Sequence, residues 1–412
     1  MIHSSDYDPR VYPYKGAGSS GQIDRVQDMS ASVTLNRTKI EEIGRDGLID
    51  WRKAIPEISV TLRQLEYGNI DFWRKLANTT DVDTQIFWSD YDTPQVDIAA
   101  YETDDDGTFL STVWYPNLRL SGFTLNIGSP EDMMERNFTL VGEDEITLQG
   151  TNKYLIVLQD ETCIGATHTI DIGDGIWANY PTPIVDPDES GTDTYILKIV
   201  RVTAAGVTSE LVETTNYTYS SVLSKVTIPA SVSGDTYKVY YSAGSYITAQ
   251  TPWTNNDADA GSLLAEHTSI YLETSNYVYR LQDVSIDVAF DRNDVREIGN
   301  DEVVLRGVRD VSTTVTLGRI LDQWTVEEIL RGVATNYPKI NVRKFADNMN
   351  LIIKLYSDET KTTFLMGYAF TDLAPTSIDN GTTLNEYVTR GVTLEGEVGF
   401  VTTDESLLNA LT

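Results

Sequence analysis

Basic residues are scarce in this chain. It holds 31 Lys and Arg against 62 Asp and Glu, a formal net charge of −31 with a pI near 4.3. A protein that grips nucleic-acid phosphates needs a basic surface, so stable DNA or RNA binding is disfavoured. Cysteine is nearly absent. Cys163 stands alone, which excludes an intrachain disulfide and leaves an oxidising compartment unimplied. Histidine is rare too: His3, His168 and His267 sit in no catalytic frame. GxSxG, the P-loop, GxGxxG and HExxH are all missing. Cys163, in CIGATH, reads as an incidental thiol because a nucleophile needs a base placed in space, not merely in sequence. No apolar run has the length of a membrane-spanning helix. The start, MIHSSDYDPR, has neither a basic n-region nor an apolar h-region, so no secretory signal is expected, and the protein is expected to be soluble and made in a cytoplasm. These absences point away from an enzyme, and no cofactor or catalytic residue is assigned.

Two acidic clusters raise the question of Ca²⁺. Asp104-Asp105-Asp106-Gly107 and Asp186-Pro187-Asp188-Glu189-Ser190-Gly191 lack the EF-hand ligand spacing. Both read as solvated turn tips, where Asp and Gly are favoured, and no metal site is expected.

What the chain does contain is itself, twice. Arg25–Asp46, RVQDMSASVTLNRTKIEEIGRD, returns as Arg280–Asp301, RLQDVSIDVAFDRNDVREIGND, at a constant offset of 255. Ten of the 22 positions are identical without a gap, which marks an internal duplication. Ser59-Val60-Thr61-Leu62 matches Thr314-Val315-Thr316-Leu317 at the same offset, and Arg136, Thr139, Leu140, Gly142 and Glu143 match Arg390, Thr393, Leu394, Gly396 and Glu397 at an offset of 254. At 412 residues with 41% hydrophobic content, the chain is long enough for two or three domains with real cores.

Each copy reads in the same order. Met29–Leu35 alternates, with Ala31, Val33 and Leu35 on the face expected to be buried. A long connection follows, then a strand at Glu57–Leu65. A short helix comes next at Ile70–Ala77, with Asn69 as its cap and Ile70, Trp73, Leu76 and Ala77 as its apolar stripe. Strands complete the copy at 85–88, 96–101, 108–114, 118–127 and 137–148. In the second copy the strands fall at 284–290, 313–320, 339–343, 351–356, 363–370 and 387–395, with the helix at 324–330. Residues 1–22 read as an extended N-terminal arm, 23–150 as the first unit and 276–412 as the second. Residues 151–275 belong to neither. Their short strands at 195–202, 207–213, 225–228 and 237–241 suit a small antiparallel sandwich of immunoglobulin type. The expected fold is thus mainly β.

The duplicated connections, 37–56 and 292–311, are too long for ordinary turns. They are also too apolar, carrying Ile40, Ile43 and Trp51 in the first and Val295, Ile298 and Leu305 in the second. Apolar residues set among charges are what a contact between subunits needs; the competing reading is a hairpin folded back on its own sheet.

Strand, long arm, strand, short helix and further strands, written twice in an acidic chain, resembles the tail tube proteins of tailed bacteriophages, in particular those with two tandem tube domains. The resemblance covers both units and not the insert. It implies two tail-tube β-sandwich or barrel-like domains, each flanked by one short helix, with 151–275 as a decoration domain. It implies a structural virion protein of the tail with no enzymatic activity. Chains of this kind close pseudo-hexameric, trimeric rings that stack into the conduit for DNA ejection. The implied partners are further copies of the chain, a tape measure protein, and tail-tip and terminator proteins. DNA would pass through the lumen without stable binding, and no membrane insertion is expected. The family's contact arm falls on Arg37, Ile40, Glu42, Ile43, Gly44 and Trp51, and again on Arg292, Val295, Glu297, Ile298, Gly299 and Leu305. The rival reading is a β-rich surface or adhesion protein whose immunoglobulin-like module binds carbohydrate or protein.

Overall fold

Alternation builds the first sheet. In Glu57–Leu65, Ile58, Val60, Leu62 and Gln64 are buried while Glu57 and Arg63 are exposed. In Glu135–Gly142, Arg136, Phe138 and Leu140 are buried in the same rhythm. A strand with one covered face has this period of two. A computed structural model of the chain describes residues 7–14, 21–40, 50–53, 55–79, 82–104, 106, 108–159, 163, 165–174, 178–184, 186–187, 193–213, 215–246, 262–273, 278, 281–296, 303–320, 325–331, 341–381 and 388–411. It is mainly β, and among the described residues no sheet closes into a barrel.

The first copy comprises β1 (Tyr7–Pro13), β2 (Gly21–Gln22), β3 (Val26–Thr34), β4 (Arg37–Ile40), β5 (Asp50–Lys53), β6 (Glu57–Leu65), α1 (Asp71–Ala77), β7 (Gln85–Phe87), β8 (Val96–Thr103), β9 (Phe109–Ile127), β10 (Glu135–Gly142) and β11 (Ile146–Gln149). The intervening segment holds β12 (Tyr154–Gln159), β13 (His168–Asp171), β14 (Asp186–Pro187), β15 (Asp193–Thr194), β16 (Lys198–Val202), β17 (Thr208–Glu210), β18 (Thr218–Ser220), β19 (Lys225–Ile228) and β20 (Thr236–Ala243). The second copy holds β21 (Thr268–Leu272), β22 (Leu281–Arg296), β23 (Val303–Ile320), α2 (Thr325–Arg331), β24 (Met349–Tyr356), β25 (Phe364–Gly381), β26 (Thr389–Gly396), β27 (Val398–Thr402) and α3 (Glu405–Asn409).

The duplication extends to hydrogen-bond register. β3 pairs with β6 through Thr34↔Glu57, and β22 with β23 through Ala289↔Ser312, both partners shifted by 255. The bulge at Gln27 recurs at Gln282, and the bulge in the β9–β10 ladder recurs between β25 and β26. One difference is local. β22 and β23 run unbroken where the first copy interrupts its strands at residues 35–36 and 55–56. Pro56 stands at the position of Val311, and a proline has no N–H to give to the ladder.

β9 and β25 each serve two sheets. Up to Leu118, β9 pairs with β8; from Arg119 it pairs with β10. Likewise β25 passes from β24 to β26 after Leu373. The corner is one residue in the left-handed region, Asn117 (φ 58°) and its duplicate Asp372 (φ 57°). Asn and Asp tolerate that region better than most residues.

The result is layered. An inner sheet runs β3-β6-β10-β9-β22-β23-β26-β25 across both copies. Outer strands lie behind it, β2-β1-β8-β9-β11 in the first copy and β21-β24-β25-β27 in the second. Between the layers lies one continuous core, whose centre is Trp73 of α1. Its ring meets Phe123, Phe138, Trp88 and Tyr91, and also Tyr368 of the second copy at 6.0 Å. Each copy also buries an arginine at one duplicated position. Arg136 bridges to Glu66 at 3.1 Å, and Arg390 to Glu327 at 2.7 Å.

A second core covers the far side of the first copy's outer strands. Ile98 and Tyr115 face the inner sheet, while Ala99, Tyr101 and Trp114 face the inserted segment. Because both faces are covered, β8 reads as an almost continuous buried run. The insert supplies a four-stranded sheet, β12-β20-β16-β17, and a three-stranded sheet, β13-β19-β18, around that core. It is fastened by a buried ion pair, Lys198 Nζ to Asp97 Oδ1 at 2.9 Å. Tyr14 donates to Asp97 at 2.8 Å and Trp114 Nε1 donates to its other oxygen at 3.2 Å. In the second copy the matching face, Ile352 and Ala369, is covered instead by Leu408 of the short helix α3.

Several expectations need revision. The N-terminal stretch contains β1, which pairs along its length with β8 and is buried by its own chain. Residues 342–344 form a 3-10 turn where a strand was expected, the counterpart of the turn at Trp88–Tyr91. Asp104, by contrast, stands in a turn as expected: its Oδ1 accepts the N–H groups of Asp106 and Thr108. Most consequential, the alternating face of β3 expected to be buried is open: Val33 is 43% and Leu35 57% exposed.

Candidate assembly interface

The two arms begin as hairpins that prolong sheet strands. Arg37↔Lys53, Lys39↔Trp51 and Ile40↔Asp50 pair in the first arm. Arg292↔Val308, Asp294↔Arg306 and Val295↔Leu305 pair in the second, each partner again displaced by 255. The described base of each arm is therefore a hairpin: a separate two-stranded sheet in the first copy, and the outer part of the β22–β23 ladder in the second. The expected contacts Arg37, Ile40, Trp51, Arg292, Val295 and Leu305 lie on these bases. Glu42, Ile43, Gly44, Glu297, Ile298 and Gly299 lie outside the described residues.

The second arm leans on the first copy. Arg292 donates from Nε to the Leu120 carbonyl at 2.6 Å, and from Nη2 and Nη1 to the carbonyls of Tyr91 (2.7 Å) and Asp92 (3.0 Å). Val308 N–H donates to Asp92 Oδ1 at 2.6 Å. Arg37, the duplicate of Arg292, is exposed.

This contact belongs to a junction that joins the copies in both layers. In the inner sheet, β22 pairs with β9 from Val284↔Ile127 to Ala289↔Gly122. In the outer layer, β7 of the first copy pairs with β27 of the second from Phe400↔Phe87 to Thr402↔Gln85. Gly122 allows the close approach, since a Cβ there would stand 2.9 Å from the Val288 carbonyl. Val284, Ile286, Val288 and Phe290 are all buried at this junction, and the Phe290 ring sits 5.6 Å from Tyr91.

Their duplicates are Met29, Ala31, Val33 and Leu35: Met29 is half-buried against the core, and the other three are exposed. At the opposite end of the inner sheet, β25 presents the duplicate of the β9 edge, with Ile378 in place of Phe123 and Asn380 in place of Leu125. The sequence signalled Ala31, Val33 and Leu35 as a core face. That this face is open in the first copy and covered in the second becomes visible only once the two registers are compared.

The inner sheet also has an open face. One row of neighbours crosses all eight strands: Asp28, Arg63, Asn137, Thr124, Asp287, Thr314, Glu395 and Ala374. An adjacent row carries Glu135, Asn126, Ser285, Thr316, Thr393 and Ser377. Small polar residues dominate these rows, which hold Asp28, Glu135, Asp287 and Glu395 against Arg63. Arg63 itself is paired with Glu135 at 3.5 Å.

No known family's sequence profile matches the chain, and no curated protein matches it in sequence. Among solved structures, similarity is found to a chain of the sheath–tube complex of PVC, an extracellular contractile injection system, in its extended state. Identity is 16% and the TM-score 0.26, over 34% of this chain and 90% of that one. A chain of the tube-terminating cap of the anti-feeding prophage matches at 16% identity and TM-score 0.28, over 39% of this chain and all of that one. A chain of the same particle's baseplate matches at 12% identity and TM-score 0.28, over 36% and 96%.

Proposed function

We propose that this chain is a structural subunit that polymerises head to tail through the two ends of its inner sheet, and that it forms the tube of a phage tail as the major tail tube protein. The observation that carries this reading is the mismatch between duplicates. The apolar face of β22 is buried by the first copy, whereas the same face of β3 is open. The chain holds one finished junction and the two halves of a second. Joining the β25 edge of one copy to the β3 edge of the next repeats the internal contact, and a repeated heterologous contact closes a ring when its rotation fits. Closure also removes both open sheet edges.

With two units per chain, trimeric rings would have pseudo-sixfold symmetry, alternating internal and external junctions. The open face would line the bore. Its acidic and small polar side chains would repel the DNA backbone, which suits passage during ejection without retention. The insert sits behind the outer layer, on the side away from that face, so it would decorate the outside of the tube. Whether that insert is immunoglobulin-like is part of the same proposal, as are the tape measure, tail-tip and terminator proteins as partners and the virion tail as location.

The internal ladder dictates the external register. Transferring Ile286↔Leu125, Asp287↔Thr124 and Val288↔Phe123 by 255 gives Ala31↔Asn380, Ser32↔Asp379 and Val33↔Ile378 between neighbours. At one rung the copy is imperfect: Ser377 replaces Gly122, so the strands must sit slightly further apart there. The test is the double variant Ser32→Cys with Asp379→Cys, oxidised after assembly. Opposed residues in an antiparallel pair lie within disulfide reach, so covalent oligomers ending in a closed ring are expected, with rings in negative-stain images. Ser32→Cys with Ile378→Cys places the thiols on opposite faces and should not link. Equal linking by both pairs, or by neither, would refute the register.

A further inference from the structure

The internal junction is held by a side chain as well as by strands. Arg292 spreads its guanidinium over three main-chain carbonyls of the first copy, Leu120, Tyr91 and Asp92. Fixed carbonyls in a fan suit a planar group with five donors and do not suit an ammonium. Arg37 has the same place in its hairpin, opposite Lys53 as Arg292 is opposite Val308. It is exposed. In the sequence Lys53 stands where the second copy has Val308.

We infer that Arg37 is a clamp between subunits. Its guanidinium donates to main-chain carbonyls at the β25 end of the neighbouring copy of this chain, with the carbonyl of Pro375, the duplicate of Leu120, as its first acceptor. The inference rests on the head-to-tail reading above and adds a residue that sets the strength of the contact. It also separates two identical side chains by role: Arg292 stabilises the fold of one chain, and Arg37 stabilises the contact between two.

The experiment compares Arg37→Ala, Arg37→Lys and Arg292→Ala in the full chain. Thermal melts of the dispersed subunit report folding; sedimentation velocity across a concentration series reports assembly. Arg292→Ala should lower the melting midpoint. Arg37→Ala should leave the midpoint unchanged and raise the concentration for half-assembly about 10- to 100-fold, the value of a charged hydrogen-bond donor. Arg37→Lys should recover only part of the loss. Assembly of Arg37→Ala at the wild-type concentration overturns the clamp and leaves the head-to-tail reading standing. A lowered midpoint for Arg37→Ala also overturns it, since the residue would then act within its own chain. If the wild type never assembles, both readings fall together.

Discussion

Val33 and Val288 occupy one position of the duplicated strand, and the same substitution should do opposite things at the two. Val288, on β22 of the inner sheet, is fully buried in the core that also holds Phe123 of the first copy. Val288→Asp removes about 1.5–3 kcal/mol of burial. It also strands a carboxylate in the core at several kcal/mol more. A loss of about 4 kcal/mol or greater is a large share of a typical stability of about 5–15 kcal/mol. The melting midpoint should drop by on the order of 10 °C. Val33 is 43% exposed, and exposed substitutions usually stay within about 0.5 kcal/mol, so Val33→Asp should melt close to wild type. If Val33 enters the environment of Val288 on assembly, the missing 4 kcal/mol is charged to each contact, a weakening of about 1,000-fold. Circular dichroism melts and sedimentation velocity, run side by side, measure both quantities. Rings formed by Val33→Asp at wild-type concentration would refute the reasoning, as would a melting loss equal to that of Val288→Asp.

Two further outcomes follow from buried charge. Glu327 holds Arg319 at 2.6 Å and Arg390 at 2.7 Å, all three almost fully buried, so Glu327→Gln should cost about 3–5 kcal/mol by leaving two guanidinium groups without their counter-charge; a loss under about 1 kcal/mol in urea unfolding would refute that assignment. Burial lowers the Lys238 ammonium to about 8, with Asp97 opposing, whereas an unfolded lysine titrates near 10.4. Between those values the unfolded chain binds more protons, so stability should rise with pH from about 8 to 10. Lys238→Met should flatten that rise, and an unchanged slope in the variant would place its origin elsewhere.

The duplication and the inner strands were legible because both leave periodic marks: a constant offset of 255, and alternation in Glu57–Leu65. Three features were not. β1 reads YDPRVYP, too polar and proline-rich for a core strand, yet Asp8 and Arg10 pair at 3.1 Å and Tyr12 meets the Tyr101 hydroxyl at 2.7 Å. Its polar groups are matched inside the fold, which composition does not reveal. The change of sheet within β9 and β25 turns on single residues, Asn117 and Asp372, inside runs that otherwise look like one strand each. The face of the inner sheet that bears Asp28, Asp287 and Glu395 required the register, because a shift of one residue exchanges the faces. Of the expected contact residues, sequence singled out the arm and passed over Met29–Leu35. An apolar face that stays exposed has the same alternation as one that is covered.

On the proposed head-to-tail reading, the two junctions would not be equal in strength. Where the internal one has Ile286, Phe290 and Leu125, the external one offers Ala31, Leu35 and Asn380. Ile to Ala alone removes three methylene-sized groups, about 2.4 kcal/mol at about 0.8 kcal/mol each. The covalently linked contact forms as the chain folds and is independent of concentration. The weaker one would depend on encounter, with a threshold set by those few substitutions. A ring built from such chains needs half as many encounters as one built from single units. The encounters that remain would be the ones a cell can regulate through supply: subunits would stay dispersed at low abundance, and assembly would begin when their number rises or a template raises the local concentration.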